Sequence, residues 1–278
     1  MSQHKHGSSH QLLQWTKQSR DEIAASLNNI LSSKGSNIEI NPDCIWRPDG
    51  LNDLKEYTLK DFISKFCTNY SGFNAELFSD WWVGSGTNPT WDFISTCTIN
   101  NKEGLLLVEA KSHIKEMEIG GKLIRCDKER TTKDLKNYIL KLFSEESLDL
   151  KCLKSVFDKL SNHDKIGLAI AEACGALSNY IPSICISRDN HYQLSNRIAS
   201  AWKLAQCGIS SVLLYLGFVD DNYWPSTDRI NDNSHWLDLM KTYLSDVGVD
   251  VLLRSDTIKL LNSNSITFCC GTLPSEKE

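Results

Sequence analysis

The sequence predicts an α/β fold with a central mixed β-sheet flanked by helices. Three patterns support this prediction: a β-hairpin over residues 91–111, an amphipathic helix over Asp189–Gly208 and an apolar strand over Ser211–Gly217. Strands alternate faces with a period of two residues, whereas helices repeat every 3.6 residues, so the patterns can be told apart. A chain of 278 residues is long enough to bury a large core. We expect a disordered leader over residues 1–10 and a single domain over residues 11–278.

Three helices and an extended segment are expected before the hairpin, and the third is a short helix that carries Glu76 into Trp81-Trp82. The first helix covers Leu12–Leu31 and is closed by Gly35. Residues 37–45 favour a strand or an extended arm. Apolar residues return to helical spacing over Thr58–Cys67, where Thr58 is the expected N-cap.

The hairpin is expected to bring three ionisable residues together. Residues 91–99 are rich in aromatic and β-branched side chains, and Asn, Asn, Lys, Glu and Gly follow as turn residues. If residues 100–103 form the loop, Asp92 lies opposite Lys111 and diagonal to Glu109, with all three on one face. A shift of one residue in this register would send Asp92 to the other face.

Two carboxylates that lie close together on a half-buried strand repel each other unless a cation joins them. Oxygen ligands favour Mg²⁺ or Mn²⁺ over zinc. Asp92, Glu109 and the backbone carbonyl of Ala110 are therefore the candidate metal ligands, and Lys111 would orient or help to deprotonate an attacking water. The alternative is an ordinary cross-strand ion pair on a surface hairpin. The run Leu105–Val108, which is apolar on both faces, favours a central strand instead.

These residues resemble the motif of the PD-(D/E)XK nuclease superfamily, in a branch of bacterial type. Pro89-Thr90-Trp91-Asp92 is a loosened first half of the motif, because two residues separate the proline from the acid, and Glu109-Ala110-Lys111 is a full second half. The resemblance implies a restriction endonuclease-like fold with its core at about residues 58–218. It also implies a Mg²⁺-dependent nuclease, with DNA favoured over RNA as the substrate because most such families cut DNA, and it allows a homodimer.

The resemblance points to three further residues. Many members add a helical glutamate from before the hairpin, which makes Glu76 an additional candidate metal ligand. In several branches the helix after the hairpin supplies a glutamine near the metal, and Gln193 is the nearest match in position. Arg197, one turn later, would then contact a phosphate. The alternative is that Arg197 forms a salt bridge on the sheet surface and that Gln193 is merely solvated.

A helical insertion is expected over about residues 128–180, between the hairpin and the next core helix. Apolar residues recur at three-and-four spacing over Thr131–Phe143, Leu148–Leu160 and His163–Leu177. The net charge of −5 is unfavourable for nucleic-acid binding, but residues 111–136 carry eight Lys or Arg against five acids. Within this strip Lys122, which follows two glycines, is the candidate backbone contact. A mixed solvated surface is the alternative.

The remaining sequence suggests few other functions. Near the end, residues 236–244 predict a short helix, and Val249–Leu253 and Ile266–Cys270 predict edge strands. There is no P-loop, nucleophile-elbow serine or dinucleotide fingerprint, so ATP-coupled and acyl-transfer chemistry lack support. The alternative to a nuclease is a nucleic-acid-binding or assembly module that keeps the fold but has little catalysis.

Composition predicts a cytoplasmic protein that does not enter a membrane. No apolar stretch approaches the roughly 20 residues of a membrane span, and the first residues are polar. The ten cysteines are scattered through apolar stretches without a C-x-x-C pair. We therefore expect reduced, structural thiols instead of disulfides or a zinc site.

Overall fold

The predicted α/β class is confirmed by a computed structural model of the protein, in which helices flank a large mixed sheet. The structure describes residues 6–32, 37–50, 53–67, 70, 72–82, 89–123, 150–253 and 257–276. Its α-helices are α1 Ser8–Trp15, α2 Arg20–Leu31, α3 Leu59–Phe66, α4 Ala75–Trp81, α5 Leu150–Leu177, α6 Tyr192–Gln206 and α7 Asn233–Ser245. Its strands are β1 Ile38–Glu39, β2 Trp46–Arg47, β3 Tyr57–Thr58, β4 Thr90–Trp91, β5 Phe93–Ile99, β6 Lys102–Lys111, β7 Ser210–Val219, β8 Thr257–Lys259 and β9 Ser265–Pro274.

The central sheet is mixed because its strands pair in both senses. Over the described residues it has the order β1-β5-β6-β7-β9-β8, and β2 also pairs with β5. The pairs β5–β6 and β8–β9 are antiparallel, whereas β6–β7 and β7–β9 are parallel. The three longest strands thus lie side by side in the middle of the sheet, which is where long, doubly covered apolar strands are expected.

Each face of the sheet is covered by its own hydrophobic layer. Alternate residues of β6 separate the two layers: Leu105 and Leu107 face α3, α5, α6 and α7, whereas Leu106 and Val108 face α1 and α2. This division follows from the two-residue period of a strand. Glu109 and Lys111 continue the series of Leu105 and Leu107, so they also lie on the α6 side.

The hairpin register differs by two residues from the prediction. The loop contains only Asn100 and Asn101, both with positive φ (49° and 62°), and Ile99 pairs with Lys102. Two positive φ values in a two-residue loop are the mark of a type I′ turn, which asparagine tolerates. Continuing this register places Asp92 opposite Glu109 instead of Lys111. Because a shift of two residues restores the same face, the predicted convergence of the three side chains survives.

The N-terminal half differs from the prediction at two points. The helix expected over residues 12–31 is two helices, because Ser19 accepts a hydrogen bond from the Glu22 amide and caps α2 in a reciprocal capping box. Residues 8–10 form the first turn of α1 instead of a disordered leader, whereas residues 1–5 and Gly35 lie outside the described residues. The α3 prediction is confirmed, with Thr58 accepting from the Asp61 amide.

The C-terminal half extends the core beyond the predicted residues 58–218. Strand β9 pairs with β7 over nine positions and lies between β7 and β8, so it is an interior strand and not the predicted edge strand. Residues 250–253 form a 3₁₀ turn instead of a strand. Within the predicted insertion, residues 150–177 form one continuous helix where two were expected, and Thr131–Phe143 lies outside the described residues.

Two expectations drawn from composition can be compared with the structure. Among the described helices, none has the length and apolar character that a bilayer crossing requires. The eight cysteines whose side chains are described are all free thiols, and Cys67, Cys97, Cys207 and Cys269 among them are buried. These four positions fit the predicted role as structural thiols, whereas Cys185 is exposed.

The Asn100-Asn101 turn sets the hairpin register, so its chemistry can be tested. Asn101→Val places a β-branched side chain at a φ of 62° and should lower the free energy of unfolding by about 1–2 kcal/mol. Asn101→Gly should leave it unchanged or raise it slightly. Urea denaturation measures both, with Thr98→Val in the same hairpin as the control. Equal stability of the valine and glycine variants at position 101 would contradict the assignment of the turn.

Candidate active site at the end of strand β6

Four residues predicted from the sequence converge at the C-terminal end of β6. Glu109 and Lys111 are the last inward-facing residues of that strand, and Asp92 lies at the bend just before β5. Gln193 lies in the first turn of α6, on the helix that covers this face. The site therefore joins a hairpin to the helix packed on it.

The start of α6 is fixed by the segment that follows β6. His191, at the N-cap, has a φ of 45°. Its amide donates to the carbonyl of Ile119, and the amide of Tyr192 donates to the carbonyl of Gly120. These bonds satisfy two of the amides that a helix start would otherwise leave without partners. They also hold the first turn of α6, and with it Gln193, against the chain that leaves the site.

Glu109 is buried between two cations. Its Oε1 lies 2.5 Å from Nζ of Lys111, and its Oε2 accepts from Nε of Arg197 at 2.7 Å. All three side chains are less than one tenth exposed. Burial alone would raise the pKa of Glu109, but Arg197 and Lys111 outweigh it and hold the pKa below its ordinary value of 4.5. Glu109 is therefore an ionised carboxylate at neutral pH.

Lys111 has a second partner on α6. Its Nζ donates to Oε1 of Gln193 at 3.0 Å. Burial alone would lower the pKa of Lys111, but Glu109 and Asp92 outweigh it and raise the pKa above 10.5. Without a further cation in the site, Lys111 is a positively charged donor. It is suited to stabilising negative charge, and not to removing a proton from water.

Asp92 is the partly exposed acid of the group. Its Oδ2 accepts from the backbone amide of Ala110 at 2.7 Å, which ties the bend before β5 to the neighbouring strand. Burial and the nearby charge of Glu109 raise the pKa of Asp92 from 3.8 to about 7, against the opposing effects of Lys111 and Arg197. A pKa so close to neutrality is common among groups that take part in binding or catalysis.

Arg197 was predicted as a phosphate contact with a surface salt bridge as the alternative, and the structure gives it a buried ion pair instead. Besides Glu109, it donates through Nη2 to the carbonyl of Thr90 at 2.7 Å. Its guanidinium carbon lies 4.3 Å from the centre of the Trp91 ring. Arg197 therefore joins α6 to Glu109 and to the residues that directly precede Asp92.

The turn after Lys111 is held by Glu116. One carboxylate oxygen of Glu116 accepts from the amide of Ser112 at 2.7 Å, and the other accepts from the amide of Ser8 at 3.0 Å. The ring of His113 packs on Trp224 with 3.7 Å between centroids. The end of β6 is thus braced from α1 and from the loop that follows β7.

Two predicted residues lie apart from this cluster. Glu76 is exposed on α4, and no hydrogen bond or ion pair among the described residues joins it to Asp92, Glu109 or Lys111. Its role as an additional metal ligand is not supported. The ammonium group of Lys122 lies 4.9 Å from the centre of the ring of Tyr192. Tyr192 directly precedes Gln193 in the sequence, but none of the bonds described above within the cluster involves Lys122. Residues 124–136, which carry five of the eight basic residues of the predicted strip, lie outside the described residues.

A separate cavity of about 440 Å³ lies between residues 6–11, the loop at 220–223 and Glu276. None of the predicted site residues lines it. The ring of His6 stacks on Tyr223 in this cavity with 3.4 Å between centroids. Its Asp221 is already bonded to Gln11 and to the amide of Tyr223.

The oxygen donors of the cluster suit a hard divalent cation, although the structure holds no ready-made cage for one. Among the described residues, no group of three or more His, Cys, Asp or Glu side chains could hold a metal ion. The predicted ligand set needs only two carboxylates and the Ala110 carbonyl. A carboxylate offers about four lone-pair positions, so the two cations bound to Glu109 leave acceptor capacity. Asp92, whose pKa is raised by burial and by Glu109, is the group whose charge a cation would stabilise.

Two features of the surroundings of Glu109 were not predicted from the sequence, namely its ion pair with Arg197 and the neighbouring Tyr215. The pairing of Arg197 with Glu109 joins residues 88 positions apart, and only the spacing of Gln193 and Arg197 on one helix stripe hinted at it. Tyr215 lies beside Glu109 in the parallel β6–β7 register, and its hydroxyl is buried with no partner among the described residues. Burial raises the pKa of Tyr215, so it stays a neutral O–H donor.

Comparison of the chain with protein families, curated proteins and solved structures finds no match. The likeness to the PD-(D/E)XK superfamily thus rests on the motif residues and their arrangement alone.

The raised pKa of Asp92 predicts that this residue destabilises the folded protein above neutral pH. An acid with a folded pKa of about 7 and an ordinary value of 3.8 stabilises the fold below pH 3.8. That contribution is lost as the pH rises through 7. Asp92→Asn should therefore raise the free energy of unfolding at pH 8 by about 2 kcal/mol in the presence of chelator, and the gain should vanish near pH 4.

Urea denaturation at the two pH values measures this difference. Asp43→Asn, at an exposed acid outside the cluster, is the control and should change stability by less than about 0.5 kcal/mol at either pH. A variant at position 92 that is less stable than wild type at pH 8 would show that Asp92 is well stabilised as an anion.

Proposed function

We propose that this protein is a Mg²⁺- or Mn²⁺-dependent nuclease that hydrolyses phosphodiester bonds, and the resemblance favours DNA over RNA as its substrate. The observation that carries the proposal is the convergence of Asp92, Glu109 and Lys111, with Gln193 bonded to the lysine. Nuclease chemistry needs acids to hold a cation and a fixed positive donor near the reacting phosphate. This cluster offers both at the end of a central strand.

Each residue has a distinct role in the proposed reaction. Asp92, Glu109 and the carbonyl of Ala110 would hold the metal, which supplies Lewis acidity and a more acidic bound water. Lys111 stays an ammonium group and stabilises the negative charge that develops on the phosphate. Gln193 fixes the direction of the Lys111 side chain. We include a cytoplasmic location in the proposal, in line with the eight free thiols.

A second candidate is a nucleic-acid-binding or assembly module with little catalysis. One observation favours it: Asp92 and Glu109 face Lys111 and Arg197, so two acids already meet two cations within the chain. Such a balanced cluster can be stable without a metal. Metal binding and cleavage assays separate the two candidates.

Metal binding is the first test. Wild type should bind Mn²⁺ in isothermal titration, and Asp92→Asn and Glu109→Gln should each weaken that binding at least about 10-fold, because each removes a charged ligand. Glu172→Gln, which alters an ion pair between α5 and α6 away from the site, is the matched control and should bind as wild type does. Unchanged Mn²⁺ affinity in both site variants would exclude the proposed ligand set.

Cleavage is the second test. The substrates are single-stranded DNA, duplex DNA and RNA, each with Mg²⁺ or Mn²⁺. Lys111→Met should reduce the cleavage rate at least about 100-fold, since it removes the positive charge that stabilises the phosphate. The matched control is Lys203→Met, at another buried lysine paired with an acid on the same helix layer. Equal loss in both variants would indicate general destabilisation, and equal retention would indicate a contaminant or another site.

A further inference from the structure

The structure brings two cysteines together where α5 meets the segment that leads to α6. Cys174 lies near the end of α5, and Cys185 lies in the segment between the two helices. Both are free thiols, and Cys174 is partly exposed whereas Cys185 is exposed. A reactive thiol must be accessible to an oxidant, and Cys185 meets that condition in the folded chain.

The sulfur of Cys174 contacts the backbone on both sides of Cys185. Its thiol donates to the carbonyl of Ile184 at 3.6 Å, and the sulfur accepts from the amide of Ile186. These two groups belong to the residues directly before and after Cys185. The amide of Cys185 donates to the carbonyl of Val247, which holds this stretch of backbone in place.

The sulfur of Cys185 can change its position without a change in the backbone. It lies 3.9 Å from the carbonyl of Asp246, and rotation about the Cα–Cβ bond moves an exposed sulfur between staggered positions. A disulfide requires two Cα atoms within about 7 Å of each other. The contact between Cys174 and the peptide group before Cys185 is compatible with that limit, and the two thiols already interact electrostatically.

We propose that Cys174 and Cys185 form a reversible disulfide in the folded protein when it meets a small aliphatic disulfide such as oxidised glutathione. The bond cross-links the end of α5 to the segment that continues to His191 and Gln193 at the start of α6. Neither cysteine belongs to the cluster around Glu109, so the disulfide does not depend on the proposed nuclease activity.

The reaction consists of two thiol–disulfide exchange steps. The thiolate of Cys185 attacks one sulfur of oxidised glutathione, which breaks the S–S bond of the reagent and releases one glutathione thiolate. The thiolate of Cys174 then attacks the Cys185 sulfur of the mixed disulfide and expels the second glutathione. The protons of the two cysteines pass through water to the released thiolates. Two protein thiols are thus oxidised, and one glutathione disulfide is reduced to two thiols.

The second step is expected to be the slower one. Burial raises the pKa of Cys174, and the hydrogen bond from the amide of Ile186 opposes this effect only in part. Little thiolate is therefore present on Cys174 at neutral pH, and the thiolate is the form that attacks a disulfide.

A tryptic digest tests the proposal directly, because residues 166–188 form one tryptic peptide that contains Cys174, Cys185 and no other cysteine. The full chain is incubated with excess oxidised glutathione under native conditions, blocked with N-ethylmaleimide, digested without reductant and analysed by mass spectrometry. The peptide should be two hydrogens lighter than its reduced form and should carry no maleimide. A peptide that keeps two maleimide groups, or that keeps glutathione on Cys185, would overturn the proposal.

The same digest contains an internal control. Residues 260–277 form a second tryptic peptide with two cysteines, Cys269 and Cys270. They are adjacent on β9 and pack into opposite hydrophobic layers of the sheet, so they should stay reduced. Loss of two hydrogens from both peptides would mean that oxidation follows unfolding, and this result would also overturn the proposal.

Two single variants separate the steps, and circular dichroism checks that both fold. Cys174→Ser should accumulate a mixed disulfide at Cys185, because the first step remains and the second is lost. Cys185→Ser should give a peptide without an internal bond. If Cys174→Ser carried no glutathione on Cys185, the proposed sequence of steps would be overturned.

The cross-link should also raise thermal stability. A bond between residues 174 and 185 closes a loop and reduces the entropy of the unfolded chain. Oxidised wild type should therefore unfold at least about 3 °C above reduced wild type, whereas oxidised Cys185→Ser should show no such gain. An internal disulfide without this rise would mean that the bond strains the fold, which would contradict a cross-link that suits the native packing of α5.

Discussion

The ionised carboxylate of Glu109, buried between Lys111 and Arg197, is the interaction on which the site depends. A buried charge is tolerated only when it is paired and hydrogen-bonded, and both oxygens of this acid meet that condition. One cation comes from the same strand and the other from α6. The helix must therefore dock on the sheet in one register, because any other would leave charges of both signs unpaired in the core. The requirement for charge pairing thereby sets the packing of the whole α6 face.

The polar cluster is compatible with a well-packed core because it is confined to the end of β6. Towards the middle of that strand, Leu105 and Leu107 meet the apolar stripe of α6, and only the last inward positions are charged. Asp92 completes the group at the rim, where it is partly exposed. The side chains of the site thus change from buried to partly exposed within a few residues. Pairing holds the inner groups in place, and the outer acid is the one whose raised pKa makes its charge sensitive to pH near neutrality.

The sequence predicts which face of a strand or helix a residue occupies better than it predicts which residues that side chain contacts. Strand periodicity predicts Asp92, Glu109 and Lys111 on one face, and the resemblance predicts Gln193 near them. In the structure Lys111 bonds to both Glu109 and Gln193. The hairpin register was wrong by two residues, because the loop was read as four residues when Asn100 and Asn101 alone can adopt the positive φ values of a tight turn. Because strand side chains alternate with a period of two residues, the shift of two residues left every side chain on its predicted face.

Contacts that span long stretches of chain left no local signal. The pairing of Glu109 with Arg197 depends on how α6 docks, and the interior place of β9 depends on strand order. Neither is encoded in the residues nearby. In the same way the break between α1 and α2 was not predicted, since the apolar spacing continues across it, although α1 ends at Trp15 and the capping box at Ser19 starts α2.

The bond from the amide of Ser8 to Glu116 has a consequence that reaches beyond local bracing. Because Glu116 holds the turn after Lys111 with its other oxygen, undocking of α1 and loosening of the strand end are thermodynamically linked. A force on the chain just before Ser8, such as one from a fused sequence, is therefore expected to reach Ser112, the residue next to Lys111, in part through this carboxylate. The docking of α1 and the position of the chain after Lys111 are therefore coupled through Glu116.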